Sequence, residues 1–214
     1  MTAQNSYESF DNFGLSQNIE IESALSNQIF DELDKASYSP VVQERFNHYK
    51  HVFKVDDPFY PEAGEKFVAK FDLCENREAS PTFNQYFETV FLPRLRNSFP
   101  KLKYYLQPNI NRIRQGSCFR SHVDAYAGEI GYTFFFSKKW KWDFGGILNF
   151  TKGSEIQPVF PHNGLVCLRD ESRKPPHFVS LVPEYVDRHY FLIVGWASSQ
   201  DLGDSDVRGL YNKL

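Results

Sequence analysis

The sequence has few cysteines, no long apolar run and no excess of positive charge. Its three cysteines (Cys74, Cys118 and Cys167) are too few and too widely spaced for a disulfide framework or a CxxC metal knuckle. The longest apolar run, near 190–197, is far shorter than the roughly 20 residues that cross a bilayer as a helix. A net charge of −3 gives no general attraction to nucleic acid. We therefore expect neither a membrane nor a nucleic-acid partner.

Targeting features are also absent at the start of the chain. The first residues lack the charged start and apolar stretch of a signal peptide. Together with the unpaired cysteines, this predicts a cytoplasmic protein.

Aromatic residues are plentiful. Phe, Tyr and Trp make up 17% of the 214 residues, and 41% are hydrophobic, so the bulk of the chain is not disordered. No repeat, low-complexity tract or linker divides the sequence, and we expect one domain over 1–214. Within it we predict a loose lead-in over 1–15, mainly helical support over 16–100 and a β-rich core over 103–198.

Two helices are predicted before the core. Apolar residues at helical spacing favour a helix from 23 or 26 to about 35. A second begins after Ser80, a good N-cap, with Pro81 suited to the first turn. Pro93 is expected to kink or end this helix. Residues 48–71 have no clean period and receive no assignment.

The residue pattern changes from Lys103 onward, where short runs of strand-forming residues alternate with turn residues. The predicted strands lie near 104–106, 110–114, 119–121, 131–137, 146–151, 159–160, 165–168, 178–182 and 190–196. Helices followed by many short strands predict a mainly β fold, an antiparallel barrel or jelly roll backed by the helices.

One set of residues indicates a metal site. In His122-Val-Asp124 the two polar side chains would lie on one face of a strand. His177, which precedes another predicted strand, is a third ligand candidate. Two histidines and one carboxylate form the facial triad of non-haem Fe(II) oxygenases. Arg188 follows near the start of the last apolar strand, where it is either an exposed strand-edge residue or a bidentate partner for a carboxylate.

The order of these motifs resembles the 2-oxoglutarate- and Fe(II)-dependent dioxygenases, and within them the prolyl-hydroxylase-like branch. The resemblance covers about 103–198, nearly half of the chain. The residues that carry it are Arg114, His122-Val-Asp124, Trp140, Gly145-Gly146, Pro161, Gly164, His177, Arg188 and Gly195-Trp196.

This resemblance implies a double-stranded β-helix (jelly-roll) core in which His122, Asp124 and His177 hold Fe(II). It implies that Arg188 binds the distal carboxylate of the co-substrate 2-oxoglutarate. Arg112 or Arg114, on the strand before His122, either adds a polar contact to the co-substrate or faces solvent. The implied reaction uses O2 to hydroxylate a C–H bond and releases succinate and CO2.

Two features depart from the family pattern. Residues 134–136 are all phenylalanine, where the family often has a tyrosine that helps to bind the co-substrate. Arg188 also stands two residues farther from Gly195-Trp196 than is usual. The second residue that binds 2-oxoglutarate is therefore open at this point.

Two other functions stay open at the level of sequence. The same three ligands could hold Zn²⁺ in a hydrolase, although no separate general base is evident near Asp124. Alternatively, the chain is a non-catalytic jelly-roll binding protein whose histidines are incidental. For the oxygenase, the substrate is an amino acid, a peptide or protein residue, or a small metabolite, and the protein is a monomer or a homodimer.

Overall fold

The structure, a computed structural model, describes residues 9–46, 66–124, 128–201 and 211–213. Most of the predicted lead-in, and most of the unassigned stretch 48–71, lie outside these residues. The described chain is mostly β. It contains thirteen strands, which are β1 Leu15–Glu20, β2 Tyr38–Phe46, β3 Lys66–Cys74, β4 Tyr104–Leu106, β5 Asn109–Ile113, β6 Cys118–His122, β7 Ile130–Ser137, β8 Leu148–Lys152, β9 Glu155–Val159, β10 Leu165–Asp170, β11 His177–Val179, β12 Tyr190–Ser198 and β13 Tyr211–Lys213.

The helices begin close to where the sequence places them. The first, α1, spans Ser23–Leu33. The second, α2, spans Pro81–Tyr86, and Ser80 caps it by accepting a hydrogen bond from the Phe83 N–H at 3.1 Å. None of the helices in the described ranges has the length and apolarity needed to cross a membrane.

Pro93 does not end the second helical segment, which was one of the two expected outcomes. A π-helical turn over Phe87–Phe91 leads directly into α3, Leu92–Ser98, which contains this proline in its first turn. The Leu92 N–H donates to the Phe87 carbonyl, five residues back. The wider turn and the position of Pro93 in a first turn explain the continuity, because an N–H is not required there.

The strands form a curled antiparallel sheet with two four-stranded halves. One half has the order β10-β7-β12-β5, the other has the order β6-β11-β8-β9, and β3 joins them by pairing with both β5 and β6. Side chains from both halves pack into one apolar interior, including Phe135, Phe150, Val179 and Leu192. The curled sheet confirms the predicted mainly β, jelly-roll class.

The prediction of mainly helical support over 16–100 is not shown. Strands β1, β2 and β3 lie in this region beside the helices, and only α1 exceeds ten residues. β1 pairs with β10, and β2 pairs with β3 along their whole lengths. Pairing with distant strands explains these elements, which charged residues and Pro40 make hard to recognise locally.

The helices pack on the outer face of the first half of the sheet. Side chains alternate along β7, so Phe134 and Phe136 face the helices while Phe135 faces the interior. Phe134 makes edge contacts with Phe83 and Phe91, with ring centroids 5.2 and 4.8 Å apart. Each fully buried ring contributes about 2–3 kcal/mol to folding, so this aromatic layer fixes the sheet that carries the site.

Candidate metal centre

Three of the predicted site residues converge at one end of the interior. His122 ends β6, Asp124 follows it, and His177 begins β11, which pairs with β6 so that His177 lies opposite His122. One candidate ligand atom from each residue lies within 4.8 Å of the others. Asp124 Oδ1 is 3.7 Å from His122 Nε2, and Asp124 Oδ2 is 3.4 Å from His177 Nε2.

Both imidazoles are oriented by the backbone. His122 Nδ1 lies 2.8 Å from the Arg120 carbonyl oxygen, and His177 Nδ1 lies 2.9 Å from that of Pro175. A carbonyl oxygen only accepts, so the network assigns the ring proton to Nδ1 in each case. The lone pairs of the two Nε2 atoms are then directed toward Asp124, as in histidines that ligate a metal.

Electrostatics favour the protonation states that a metal ligand needs. Burial, reinforced by the neighbouring His177, lowers the pKa of His122 to about 4. Burial would raise the pKa of Asp124, but interactions with His177 and Arg169 outweigh it and hold this pKa well below its usual range. Neutral imidazole and an ionised carboxylate are the donor set of non-haem Fe(II) sites, so these residues fit that ion.

Sequence reasoning missed a buried ion pair beside the three ligands. Arg169, on β10, is 2% exposed, and its Nη1 lies 3.2 Å from Asp124 Oδ2 and 3.3 Å from His177 Nε2. Its Nη2 lies 3.0 Å from Glu171 Oε1. Burial raises the pKa of Glu171 to about 7, although Arg169 acts in the opposite direction. We call His122, Asp124, His177, Arg169 and Glu171 the triad end of the interior.

A glycine on β7 makes room for this pair. Gly131 lies opposite Arg169 in the β10–β7 ladder. A methyl group at Gly131 would overlap Glu171 Oε1 and lie 2.7 Å from Arg169 Nη2. Arg169 follows Leu165 and Cys167 in the two-residue period of a strand face, which was the available signal. The predicted strand ended at Leu168, one residue before Arg169 and two before the end of β10.

The structure does not bring Arg188 or Arg114 to the triad. The Arg188 side chain is 46% exposed, and its Nε lies 4.0 Å from Asp187. Arg114, which follows β5, is also 46% exposed and pairs with Asp72 through Nε at 2.5 Å. β12 runs from Tyr190, beside Arg188, to the triad end at Trp196, six residues or about 20 Å away. A role of either arginine in co-substrate binding stays a prediction.

The opposite part of the interior is aromatic. Tyr190, the first residue of β12, is fully buried, and its ring lies 4.9 Å from that of Trp140 and 6.4 Å from that of Phe135. Its hydroxyl donates to the Gly146 carbonyl at 2.5 Å, and burial raises its pKa. We call Phe135, Trp140, Gly146 and Tyr190 the apolar end of the interior.

Similar folds occur among solved structures. A prolyl hydroxylase from Trichoplax adhaerens, in complex with a hypoxia inducible factor oxygen degradation domain peptide fragment, aligns with a TM-score of 0.60 at 13% identity and covers 89% of this chain and 86% of its own. An oxidoreductase of the 2OG-Fe(II) oxygenase family from Burkholderia pseudomallei has a TM-score of 0.57 at 14% identity and covers 93% of this chain and 88% of its own.

No protein-family model matches the sequence, and no curated protein matches it. The chain nevertheless has the fold of the prolyl-hydroxylase-like 2OG oxygenases, which confirms the resemblance seen in the sequence at the level of the fold. At these identities the chemistry depends on the residues of this chain.

Proposed function

We propose that the protein is an Fe(II)- and 2-oxoglutarate-dependent dioxygenase that hydroxylates an unactivated C–H bond and releases succinate and CO2. The observation that carries this proposal is the convergence of His122, Asp124 and His177 within 4.8 Å at one end of a jelly-roll interior. Three protein ligands of this kind leave coordination positions for a chelating co-substrate and O2.

The bound iron and 2-oxoglutarate would supply the oxidation chemistry, and the chain supplies the site. Asp124 provides the negative charge that favours a divalent ion. His122 and His177 provide neutral nitrogen donors whose direction is fixed by backbone carbonyls. The surrounding apolar interior limits the access of water.

The support for the substrate class comes from a solved structure of similar fold. The Trichoplax adhaerens protein, with a similar fold, was solved with a peptide fragment. This supports a peptide or protein residue as one substrate class, beside a free amino acid or a small metabolite. The proposed enzyme would act on such a substrate at the triad end, where the His122 and Asp124 side chains are partly exposed.

Anaerobic titration of the metal-free protein with Fe(II) and 2-oxoglutarate tests the proposal. Chelation of the keto acid to iron gives a visible charge-transfer band, which we expect in the natural protein and not in His177→Ala. His162→Ala is the matched control, because His162 is exposed and contacts Phe160 rather than the triad. Metal binding without the band in the natural protein would contradict the proposal.

A zinc hydrolase is a second candidate, because Glu171 supplies a buried carboxyl whose pKa of about 7 suits a general base. Its Oε1 faces Arg169, however, and Arg169 lies between it and the triad. Zinc in the isolated protein, with no charge-transfer band after exchange for Fe(II), would favour the hydrolase.

A further inference from the structure

A buried arginine contacts two of the three proposed metal ligands. Arg169 is 2% exposed, and it is the only buried lysine or arginine among the described residues. Its Nη1 atom lies 3.2 Å from Asp124 Oδ2 and 3.3 Å from His177 Nε2. Nε2 is the atom that His177 offers to a metal, because its Nδ1 faces the Pro175 carbonyl. Arg169 therefore contacts a ligand atom itself.

The hydrogen bond to His177 and metal binding by His177 exclude each other. With the proton on Nδ1, the Nε2 atom is an acceptor, so Arg169 is the donor in this hydrogen bond. Nε2 of a neutral imidazole has one lone pair, which either accepts a hydrogen bond or binds a metal ion. A metal ion on the triad therefore requires that Nη1 of Arg169 leave His177.

The charges at the triad lead to the same result. The guanidinium carries one positive charge and forms an ion pair with Asp124, the carboxylate that would neutralise part of the charge of a divalent ion. Two cations in a buried space repel each other strongly, because little water screens them. Arg169 and a metal ion therefore compete for Asp124 as well as for His177.

Glu171 offers Arg169 a second partner inside the protein. Its Oε1 lies 3.0 Å from Nη2, and the Glu171 side chain is 1% exposed. Neither Nε nor Nη2 makes a well-directed hydrogen bond with any described residue, so both retain donor capacity. Gly131 leaves the space in which the two side chains lie. The guanidinium can therefore leave the triad and still keep a buried counter-charge.

We propose that Arg169 and the metal ion are alternative occupants of the triad. Arg169 holds Asp124 and His177 together before a metal binds, and it withdraws to Glu171 when the metal takes these ligands. Arg169 thereby lowers the metal affinity of the site, and Glu171 limits this effect. The inference rests on the proposed iron site. A residue that only orients the ligands has the opposite effect, because its replacement weakens metal binding by about 10–100-fold.

Titration of matched variants with Co²⁺ tests this competition. The main variant combines Arg169→Met with Glu171→Gln, which removes the donors of Arg169 and leaves no unpaired buried charge. Glu171→Gln alone keeps Arg169 but removes its second partner. The control is Arg173→Gln, whose exposed side chain pairs with Asp170. Each Kd is measured at pH 8, where Glu171, with a pKa of about 7, is mostly ionised. Urea unfolding shows whether each variant is folded.

We expect the double variant to bind Co²⁺ at least about ten-fold more tightly than the natural protein, which corresponds to a triad that Arg169 occupies about 90% of the time. Glu171→Gln alone should bind Co²⁺ more weakly than the natural protein, because Arg169 then pairs with the triad only. Arg173→Gln should leave the Kd unchanged. Unchanged or weaker binding in the double variant would overturn the inference.

The ¹⁵N resonance of His177 Nε2 separates competition from a general effect of charge. In the metal-free natural protein, the hydrogen bond from Arg169 should shift this resonance away from that of an unbonded imidazole nitrogen. The double variant should return it toward the unbonded value. The same resonance in both proteins would contradict the hydrogen bond on which the competition depends.

Failure of this inference can be told apart from failure of the proposed function. If neither the natural protein nor the double variant binds Co²⁺, the metal site is wrong and both proposals fail. If both bind Co²⁺ equally tightly, only the competition is wrong. If the double variant binds Co²⁺ more tightly but neither protein gives a charge-transfer band with Fe(II) and 2-oxoglutarate, the competition is correct and the proposed function is wrong.

Discussion

The two ends of the jelly-roll interior differ sharply in chemistry. The triad end contains two histidines, two carboxyl groups and an arginine, all in contact as a network. The apolar end contains aromatic rings, with Trp140 packed edge to face on Tyr190, and its one hydroxyl, that of Tyr190, is bonded to a carbonyl. Buried charge is therefore concentrated where the strands can pair it, while the apolar end supplies packing.

Because of this difference, we expect substitutions at the two ends to affect different properties of the protein. Removing atoms at the apolar end should cost folding free energy without altering the metal ligands. Changes at the triad end should alter metal or co-substrate binding. Those that leave the buried ion pair balanced should cost little stability, because a paired buried charge adds little net stability.

The largest effect on folding is expected for Tyr190→Ala at the apolar end. Loss of a fully buried ring that packs on Trp140 should lower the free energy of unfolding by about 3–5 kcal/mol. Tyr190→Phe keeps the ring and should cost only about 1 kcal/mol, because it removes one buried hydrogen bond. Urea unfolding measures both values. Equal losses in the two variants would show that packing is not the main contribution.

A smaller effect is expected for Gly131→Ala at the triad end. The added methyl group would overlap the Arg169–Glu171 pair, and such overpacking costs about 1–3 kcal/mol. Because Arg169 also contacts Asp124, Co²⁺ affinity should change as well, unlike in Tyr190→Phe. The measurements are urea unfolding and Co²⁺ titration. In a Glu171→Ala background the same substitution should cost less, and an undiminished cost would argue against the overlap.

Much of the β core could be predicted from sequence because local signals agreed with the fold. Turn residues separate the strands after Lys103, and the strand at Tyr104–Leu106 has the predicted bounds. The choice of His122, Asp124 and His177 was also accessible from their residue types and their order along the chain, although Asp124 lies past the end of β6 and not on the predicted strand face. Their approach to one another depends on the β6–β11 pairing, which no local pattern specifies.

Other features depend on tertiary contacts and were missed for that reason. β1 and β3 form by pairing with distant strands. The continuous helix through Pro93 needs the π-helical turn before it. Arg169 lies one residue past the predicted end of its strand. The period from Leu165 and Cys167 places it on the interior face, but its burial depends on the space that Gly131 leaves.

A third group of charged residues, Asp72 with Arg112 and Arg114, lies outside the interior and is expected to have a smaller effect. Burial raises the pKa of Asp72, but hydrogen bonds from Arg114 and Arg112 outweigh it and leave this pKa below its usual value. A lowered carboxyl pKa stabilises the fold above the unfolded pKa, about 4, and this contribution is lost as the pH falls through the folded value. Because both arginines are partly exposed, Asp72→Asn should cost about 1–2 kcal/mol at pH 7.

Urea unfolding at pH 7 and at pH 3 measures this contribution of Asp72. The difference between the natural protein and Asp72→Asn should shrink at the lower pH, while Co²⁺ affinity at pH 7 should not change. A difference that is independent of pH would contradict the assignment of the stabilisation to the ionised carboxylate.

The smallest expected effect comes from Glu171 at the triad end. Its contribution to stability falls as the pH rises, the reverse of the contribution of Asp72. Burial raises the pKa of Glu171 to about 7, against an unfolded value near 4.5. The folded state therefore binds the proton more tightly, so Glu171 stabilises the metal-free protein below pH 4.5 and loses this contribution as the pH rises through about 7. The lowered pKa of His122, about 4, acts in the opposite direction over much of this range.

Because the two groups oppose each other, the measurement is a difference between variants. The free energy of unfolding of metal-free Glu171→Gln, minus that of the natural protein, should increase by about 1 kcal/mol between pH 6 and 7.5. Glu155→Gln, an exposed change on β9, should give no such increase. A constant difference for Glu171→Gln would mean that Arg169 keeps Glu171 ionised throughout. The triad end would then hold its full negative charge even before a metal binds.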